Sequence, residues 1–310
     1  MTTSPSRITR FKKVFSRDKY LYLIITLPIM YYILFHYVPL YGILISFYDV
    51  KVFRGLGEFL QAPFVGLKYF KEYITDPYFW KLVRNTIIIR VYSIVFSFPV
   101  PILFALILND VRSIYFKKFV QTVTYLPHFI STVVICGMLR SYFASDGIFN
   151  KLVLALGGEA KPFLSLPQYF RTIYIGSGIW QSFGWDSIVY LAALTGINPE
   201  LYEAATIDGA SRMQKMWHIS LPGIKPTIVI LFIMSVGKIM NVGYEKILLL
   251  YNGATQEVAD VISTYVYRRG IIDSRFNYGT AVGLFTSVIG FLFLTASNSI
   301  SRALNDTSLW

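Results

Sequence analysis

Polar and aromatic side chains recur at helical spacing inside three long apolar stretches of this 310-residue chain. Residues about one helical turn apart share a face, so each set lines one side of its helix. Amides and charges beside aromatic rings suit a sugar, whose apolar faces stack while its hydroxyls need donors and acceptors. A structural polar network between helices is the alternative for each residue. The candidate solute-pathway residues are Gln121, Tyr125, His128, Gln181, Trp185, Lys238, Asn241, Tyr244 and Glu245.

No residue set in the sequence supports catalysis or metal binding. Gly237-Lys238 is followed by Ile239, and no GxxxxGK[ST] phosphate-binding loop occurs. There is no HExxH motif and no His/Cys/Asp cluster with metal-ligand spacing, and the single Cys136 excludes a cysteine-based zinc site. We therefore predict no catalytic residue, no bound metal and no cofactor held by this chain.

The elements that carry these residues must lie in lipid. The chain is 55% hydrophobic and only 15% charged, whereas soluble domains are nearer a quarter charged. A soluble core of this size could not bury that much apolar surface. The net charge of +12 fits basic residues that anchor helices at a membrane surface, so we do not expect nucleic acid as a partner.

Six stretches are long and apolar enough to span a bilayer, which needs about 20 residues each. A helix satisfies its own backbone hydrogen bonds in lipid, so all six are predicted to be helical. The predicted fold class is therefore an all-α membrane protein with about six transmembrane helices. The stretches lie near 21–47, 85–108, 120–143, 171–194, 226–248 and 278–300.

The distribution of Lys and Arg indicates which side of the membrane each connecting segment occupies. Six of these residues precede the first apolar stretch, and the first helix usually dominates topology. The totals for the two sides are nearly balanced, so the orientation rests on that tail. We expect both termini in the cytoplasm, with a tail at 1–20, a transmembrane domain at 21–300 and a tail at 301–310.

The segment between the fourth and fifth stretches is predicted to form a helix–turn–helix on the inner side. Asn198 suits a helix N-cap and Pro199 suits the first helical position. Gly209 fits a helix stop with positive φ, and Ser211 suits the N-cap of a second short helix. We expect Leu221-Pro222 to end that second helix.

The first of these two helices places the small residues Ala204 and Ala205 on one face. An amphipathic connector lying on lipid headgroups is the alternative, but it would favour basic and bulky apolar residues. The paired alanines favour close approach of another protein's backbone instead.

The segment also matches one complete sequence pattern. Three residues separate the Glu-Ala-Ala triplet from a glycine. Nine further residues separate that glycine from an isoleucine, and one residue separates the isoleucine from Leu-Pro. The matching residues are Glu203, Ala204, Ala205, Gly209, Ile219, Leu221 and Pro222. This segment resembles the EAA loop of the membrane subunits of bacterial ATP-binding-cassette (ABC) importers at every position. The six-span layout fits that family too, so the resemblance covers the whole chain.

The resemblance implies a type I ABC importer (MetI-like) transmembrane domain with a coupling loop at 198–222. In that loop Glu203 would face a basic residue of an ATP-hydrolysing subunit, while Ala204, Ala205 and Gly209 permit tight docking. The implied partners are a second, different permease chain, two ATP-binding subunits that hold ATP and magnesium, and an extracytoplasmic solute-binding protein. The implied location is the bacterial cytoplasmic membrane.

Further stretches resemble permeases of oligo- and polysaccharide uptake, at 202–222, 237–245, 259–268 and the final 308–310. The resemblance therefore implies a carbohydrate substrate, and a permease for a non-sugar solute is the alternative. An ion-coupled secondary transporter would favour inverted repeats and buried acidic residues. No repeat is found in the sequence, and a membrane-embedded enzyme lacks a catalytic set.

Overall fold

A computed structural model describes residues 17–50, 61–305 and 308–310, and the regular secondary structure within them is helical. Within the described residues, β-type pairing is limited to a single antiparallel bridge between Tyr48 and Phe64. The all-α prediction is therefore confirmed. In chain order the helices are α1 Lys19–Phe47, α2 Lys68–Ile74, α3 Phe79–Asn109, α4 Ile114–Phe129, α5 Thr132–Tyr142, α6 Ile148–Ala155, α7 Pro167–Thr195, α8 Pro199–Ile207, α9 Arg212–Gly223, α10 Lys225–Gly237, α11 Tyr244–Leu250, α12 Gln256–Ala259, α13 Ile262–Val266 and α14 Phe276–Asn305.

Three continuous helices of the described chain, α1, α3 and α14, are long and apolar enough to cross a membrane. Two bent pairs, α4 with α5 and α9 with α10, raise that number to five. Helix α7 covers the predicted stretch 171–194 and has 29 residues, but the polar residues along it lower its apolar content. Each predicted span therefore has a helical counterpart, although two of the six are broken.

Helix α1 stands apart from the rest of the bundle. No residue in its most apolar window is buried, and it packs on α14 through its last part, Tyr41–Phe47. A π-helical turn at Ile33–Tyr37 precedes Pro39, whose missing N–H locally opens the helix. A helix that is apolar on all sides needs lipid or another protein around it.

The predicted third span at 120–143 is not one straight helix. Helices α4 and α5 meet at 96°. Pro127 lies in the tightened last turn of α4, and the Ser131 hydroxyl caps the start of α5. Proline removes a backbone donor and serine offers a new N-cap, so two helices replace one. Gln181 of α7 donates to the freed carbonyl of Ile130 at 3.3 Å.

The predicted fifth span at 226–248 is also broken, because residues 238–243 are non-helical between α10 and α11. Gly237 ends α10 and Gly243 is the last residue of the break, and glycine weakens helices. The polar row predicted through Lys238 and Asn241 therefore lies in this break. The second loop helix also continues through Pro222, and a bend of 59° then separates α9 from α10.

Glycines of α14 permit close helix packing at two points. A Cβ on Gly279 would lie 2.9 Å from the Cα of Gly270, and one on Gly290 would lie 2.7 Å from the carbonyl oxygen of Gly237. Gly283, on the same helix, has open space beside it. Small residues let helix backbones approach in membranes, where packing holds helices together.

The connecting segments gather at the two ends of α3. At one end Arg212 of α9 pairs with Asp110 at 3.6 Å. At the other end Lys81 pairs with Glu257 at 3.2 Å. The segments that were predicted to share a side of the membrane therefore lie together.

Buried side chains form clusters at both ends of the bundle. Tyr73, Leu82 and Tyr278 belong to the cluster beside the start of α3. Leu106 and Tyr190 belong to the cluster beside its end. These packed ends hold α3, α7 and α10 in position, and the cavity described below lies between these helices.

Candidate functional site

The short helices α8 and α9 form a compact unit at one end of the bundle. Asn198 Oδ1 accepts the N–H of Glu200 at 3.0 Å and caps α8. Gly209 has φ +75°, and the N–H of Ala210 donates to the carbonyl of Ala205 at 2.9 Å. This turn satisfies a terminal helix carbonyl and needs a residue that tolerates the left-handed region. The predicted cap and the predicted helix stop are both confirmed.

Helix α9 begins with a capping box. The N–H of Ser211 donates to Gln214 Oε1 at 2.7 Å, and the N–H of Gln214 donates to Ser211 Oγ at 3.3 Å. The hydroxyls of Tyr202 in α8 and Ser220 in α9 lie 2.9 Å apart. Local caps and this cross-link make the two helices one preformed unit.

The unit exposes residues suited to docking. Glu203 and Ala204 are exposed, and Ala205 is half-buried. Beside them Ile207 is 87% exposed and Trp217 is 49% exposed. An exposed apolar surface rimmed by charge is typical of a protein–protein contact. The remaining residues of the pattern lie in α9, with Ile219 and Leu221 half-buried and Pro222 exposed.

A cavity of about 790 Å³ lies between α3, α7, α10 and the start of α11. Three of the residues predicted for a solute pathway line this cavity, namely Gln181, Trp185 and Lys238. Its wall combines aromatic rings, hydroxyls and charges, the composition that a polyhydroxyl solute needs. Further lining residues are Arg90, Ser93, Tyr174, Ser182, Asp186, Ser235 and Lys246.

The α4 residues reach this cavity through Trp185. The His128 ring stacks on the Trp185 indole, with centroids 4.5 Å apart and planes 3° apart. Tyr125 meets the same indole edge-on at 6.5 Å. Gln121 lies one turn earlier on α4 and does not line the cavity. Tyr125 and His128 of α4 thus pack against Trp185, which lines the cavity, and do not line the cavity themselves.

The residues around the break have separate positions. Asn241 and Lys238 both line a neighbouring cavity of about 590 Å³. Tyr244 stacks on Tyr267 with ring centroids 5.3 Å apart, and Glu245 is exposed. Tyr244 and Glu245 line neither cavity, so the structure does not bring all the predicted pathway residues together.

Comparison with known proteins places this architecture in a family. Residues 79–306 match the family described as binding-protein-dependent transport system inner membrane component. The chain belongs to this family. The polygalacturonan/rhamnogalacturonan transport system permease protein YteP of Bacillus subtilis (strain 168) is 42% identical over 295 residues, which cover 95% of this chain and 91% of the relative.

Two solved structures show the same permease fold. One is described as a bacterial ABC transporter involved in the import of the acidic polysaccharide alginate. It has 39% identity and a TM-score of 0.85, covering 96% of this chain and 99% of that chain. The other, a bacterial alginate ABC transporter in complex with alginate pentasaccharide-bound periplasmic protein, has the same scores, covering 97% and 100%. The chain is therefore a membrane-embedded ABC permease.

Three of the cavity residues that sequence reasoning missed left a signal in the sequence or in the fold. Tyr174 lies seven residues before Gln181 on α7, a spacing that places both on one helix face. Arg90 is a basic residue within the second apolar stretch, which is itself a signal of an interior site. Lys246 looks like a helix-end anchor in the sequence, but the break after α10 turns it into the cavity.

Proposed function

We propose that this permease forms half of the translocation pathway for an oligo- or polysaccharide, in an ABC importer of the bacterial cytoplasmic membrane. The observation that carries the proposal is the exposed α8–α9 unit at one end of a bundle that holds a polar, aromatic-lined cavity. Carbohydrate import is supported by the relatives, one named for polygalacturonan/rhamnogalacturonan and another described as an alginate importer.

The α8–α9 unit is proposed to couple the permease to ATP hydrolysis by partner subunits. Glu203 would pair with a basic group of such a subunit, while Ala204 and the turn at Gly209 allow close contact. The sequence has no phosphate-binding loop, so ATP and magnesium are proposed to be held by the partners. When those subunits close, they would move the unit and shift the bundle between two conformations.

The remaining partners are proposed from the surfaces of the fold. Helix α1, with no buried residue in its apolar window, would contact a second permease chain and lipid. The end of the bundle that contains the Lys81–Glu257 pair would face an extracytoplasmic binding protein. In this orientation the α8–α9 unit and both chain termini face the cytoplasm, as the basic N-terminal tail indicates.

A purification and an uptake assay test this function together. The tagged chain is expected to co-purify with a stoichiometric ATPase subunit from native membranes. Saccharide uptake by cells is expected to stop when ATP is depleted and to continue when a protonophore collapses the proton gradient with ATP held constant. The physical reason is that the driving contact is made by an ATP-bound partner and not by an ion.

The reverse pattern contradicts the proposal. Uptake that survives ATP depletion but stops with the protonophore would indicate an ion-coupled carrier. A deletion of the partner ATPase subunit serves as the control, because it should abolish uptake under every condition.

A further inference from the structure

Three cationic side chains line the main cavity against one carboxylate. The cations are Arg90, Lys238 and Lys246, and the carboxylate is Asp186. None of the three cations forms an ion pair with another described residue. Cations within a membrane bundle are costly unless they are paired or serve a function.

The neighbours of Arg90 are neutral. Its Nη2 donates to the carbonyl oxygen and to the hydroxyl of Ser235, both at 3.2 Å. Its Nε is buried and has no partner among the described residues. A guanidinium has five N–H donors that match a carboxylate in a forked geometry. Ser235 uses part of that capacity and supplies no negative charge.

A second arginine with neutral neighbours, Arg171, lies on α7 outside the lining of the cavity. Arg171 precedes the cavity residue Tyr174 by three positions, which places both on one helix face. Its Nη2 donates to Asn85 Oδ1 at 3.2 Å, and its buried Nε has no partner in the described chain. The Asn85 amide nitrogen donates to two backbone carbonyls, so this neighbour is also neutral and fully engaged.

Lys246 is held by an aromatic ring rather than by an acid. Its Nζ lies 5.3 Å from the centroid of the Tyr174 ring. The missing side chain of Gly178 leaves room for it, since a Cβ there would lie 3.6 Å from this Nζ. Asp186 is eight residues further along α7, about 12 Å at 1.5 Å per residue. The carboxylate therefore lies at the far part of the wall.

We infer that Arg90 and Lys246 bind carboxylates in the main cavity, so the saccharide carried by this permease is anionic and contains uronic acids. The inference rests on the proposed function and sharpens its substrate class. Neither cation has a negative partner among the described residues, and the Tyr174 ring that contacts Lys246 lines the same cavity, where it can stack on a sugar. A chain of uronate residues supplies both carboxylates and ring faces.

Equilibrium binding to the complete transporter in nanodiscs, without the binding protein, tests this inference. The probes are a fluorescent galacturonate pentamer and its fully methyl-esterified, neutral counterpart. We expect the acid to bind at least about tenfold more tightly than the ester, because charged hydrogen bonds add to affinity. Added salt should reduce that difference. Arg90→Gln and Lys246→Gln should each weaken acid binding about fivefold to tenfold and weaken ester binding less, so that the preference for the acid falls.

A matched variant and a transport assay separate the outcomes. Lys151→Gln removes an equal charge from an exposed position on α6 and should change neither affinity. Equal affinity of the wild type for acid and ester overturns the inference, and uptake of the ester in proteoliposomes would then leave the proposed function standing. Failure to bind or transport either probe or any neutral oligosaccharide tested contradicts the proposed function itself. Loss of the second permease from the Gln variants would also overturn the inference, because it would assign the cations to carboxylates of that subunit.

Discussion

Charge reversal at Glu203 is expected to abolish solute-stimulated ATP hydrolysis in the assembled transporter while the permease stays folded in the membrane. The Glu203 side chain is exposed and makes no hydrogen bond or ion pair within the described residues, so Glu203→Lys disturbs nothing in the chain itself. At the proposed contact, the new lysine side chain would face the basic group of the ATPase subunit, so two positive charges would lie side by side. Losing a buried interfacial charge pair costs about 2–5 kcal/mol, so stimulation should fall at least about tenfold.

Two further variants sharpen this measurement. Gly209→Val should also uncouple, since the φ of +75° is unfavourable for a β-branched residue and the docking turn would change shape. Glu159→Lys makes the same charge change in an exposed loop at the other end of the bundle, away from the proposed ATPase contact, and should leave basal ATP hydrolysis normal. Wild-type stimulation in both Glu203→Lys and Gly209→Val would contradict the docking argument.

Replacing Gly290 by valine is expected to lower the stability of the permease strongly. The new Cβ would lie 2.7 Å from the carbonyl oxygen of Gly237, so α14 and α10 must separate. Overpacking costs about 1–3 kcal/mol even where side chains can adjust. Here the atom that the new side chain would meet belongs to the backbone, which cannot move aside as a flexible side chain can. We expect a clear fall in the thermal unfolding midpoint in detergent, by roughly 2–4 °C for each kcal/mol lost.

Gly283 provides the matched control for that experiment. It lies on the same helix with nothing within 4 Å of its absent Cβ. Gly283→Val makes the same change in helix propensity, so it should leave the unfolding midpoint close to that of the wild type. Equal midpoints for the two variants would show that the Gly290 contact does not limit stability.

The features that sequence predicted well are decided by near neighbours. Asn198 and Ser211 cap the helices that follow them, and Gly209 ends α8, because each contact joins residues at most five positions apart. The existence of the apolar helices follows from composition alone. These local and compositional signals were enough to identify the helix–turn–helix and the all-helical membrane fold.

The features that sequence did not predict depend on distant contacts. The break after α10 turns Lys246 toward Tyr174, which is 72 positions away in the sequence. Arg90 meets Ser235 only because α3 and α10 pack together. From the sequence alone, a basic residue in an apolar stretch that faces lipid headgroups cannot be distinguished from one that faces a partner or a cavity. Helical spacing could therefore suggest the pathway residues but could not group them correctly.

The 96° bend between α4 and α5 has a consequence for how the chain enters the membrane. Helix α5 has 11 residues, about 16 Å, roughly half of a ~30 Å hydrocarbon core. Helix α7 clamps the bend, with Gly184 against the Thr124 backbone and Gln181 on the carbonyl of Ile130. Helix α7 follows the bend in the chain, so the bent pair is incomplete when it leaves the ribosome. We therefore expect α4 and α5 to reach their final packing only after α7 has been synthesised.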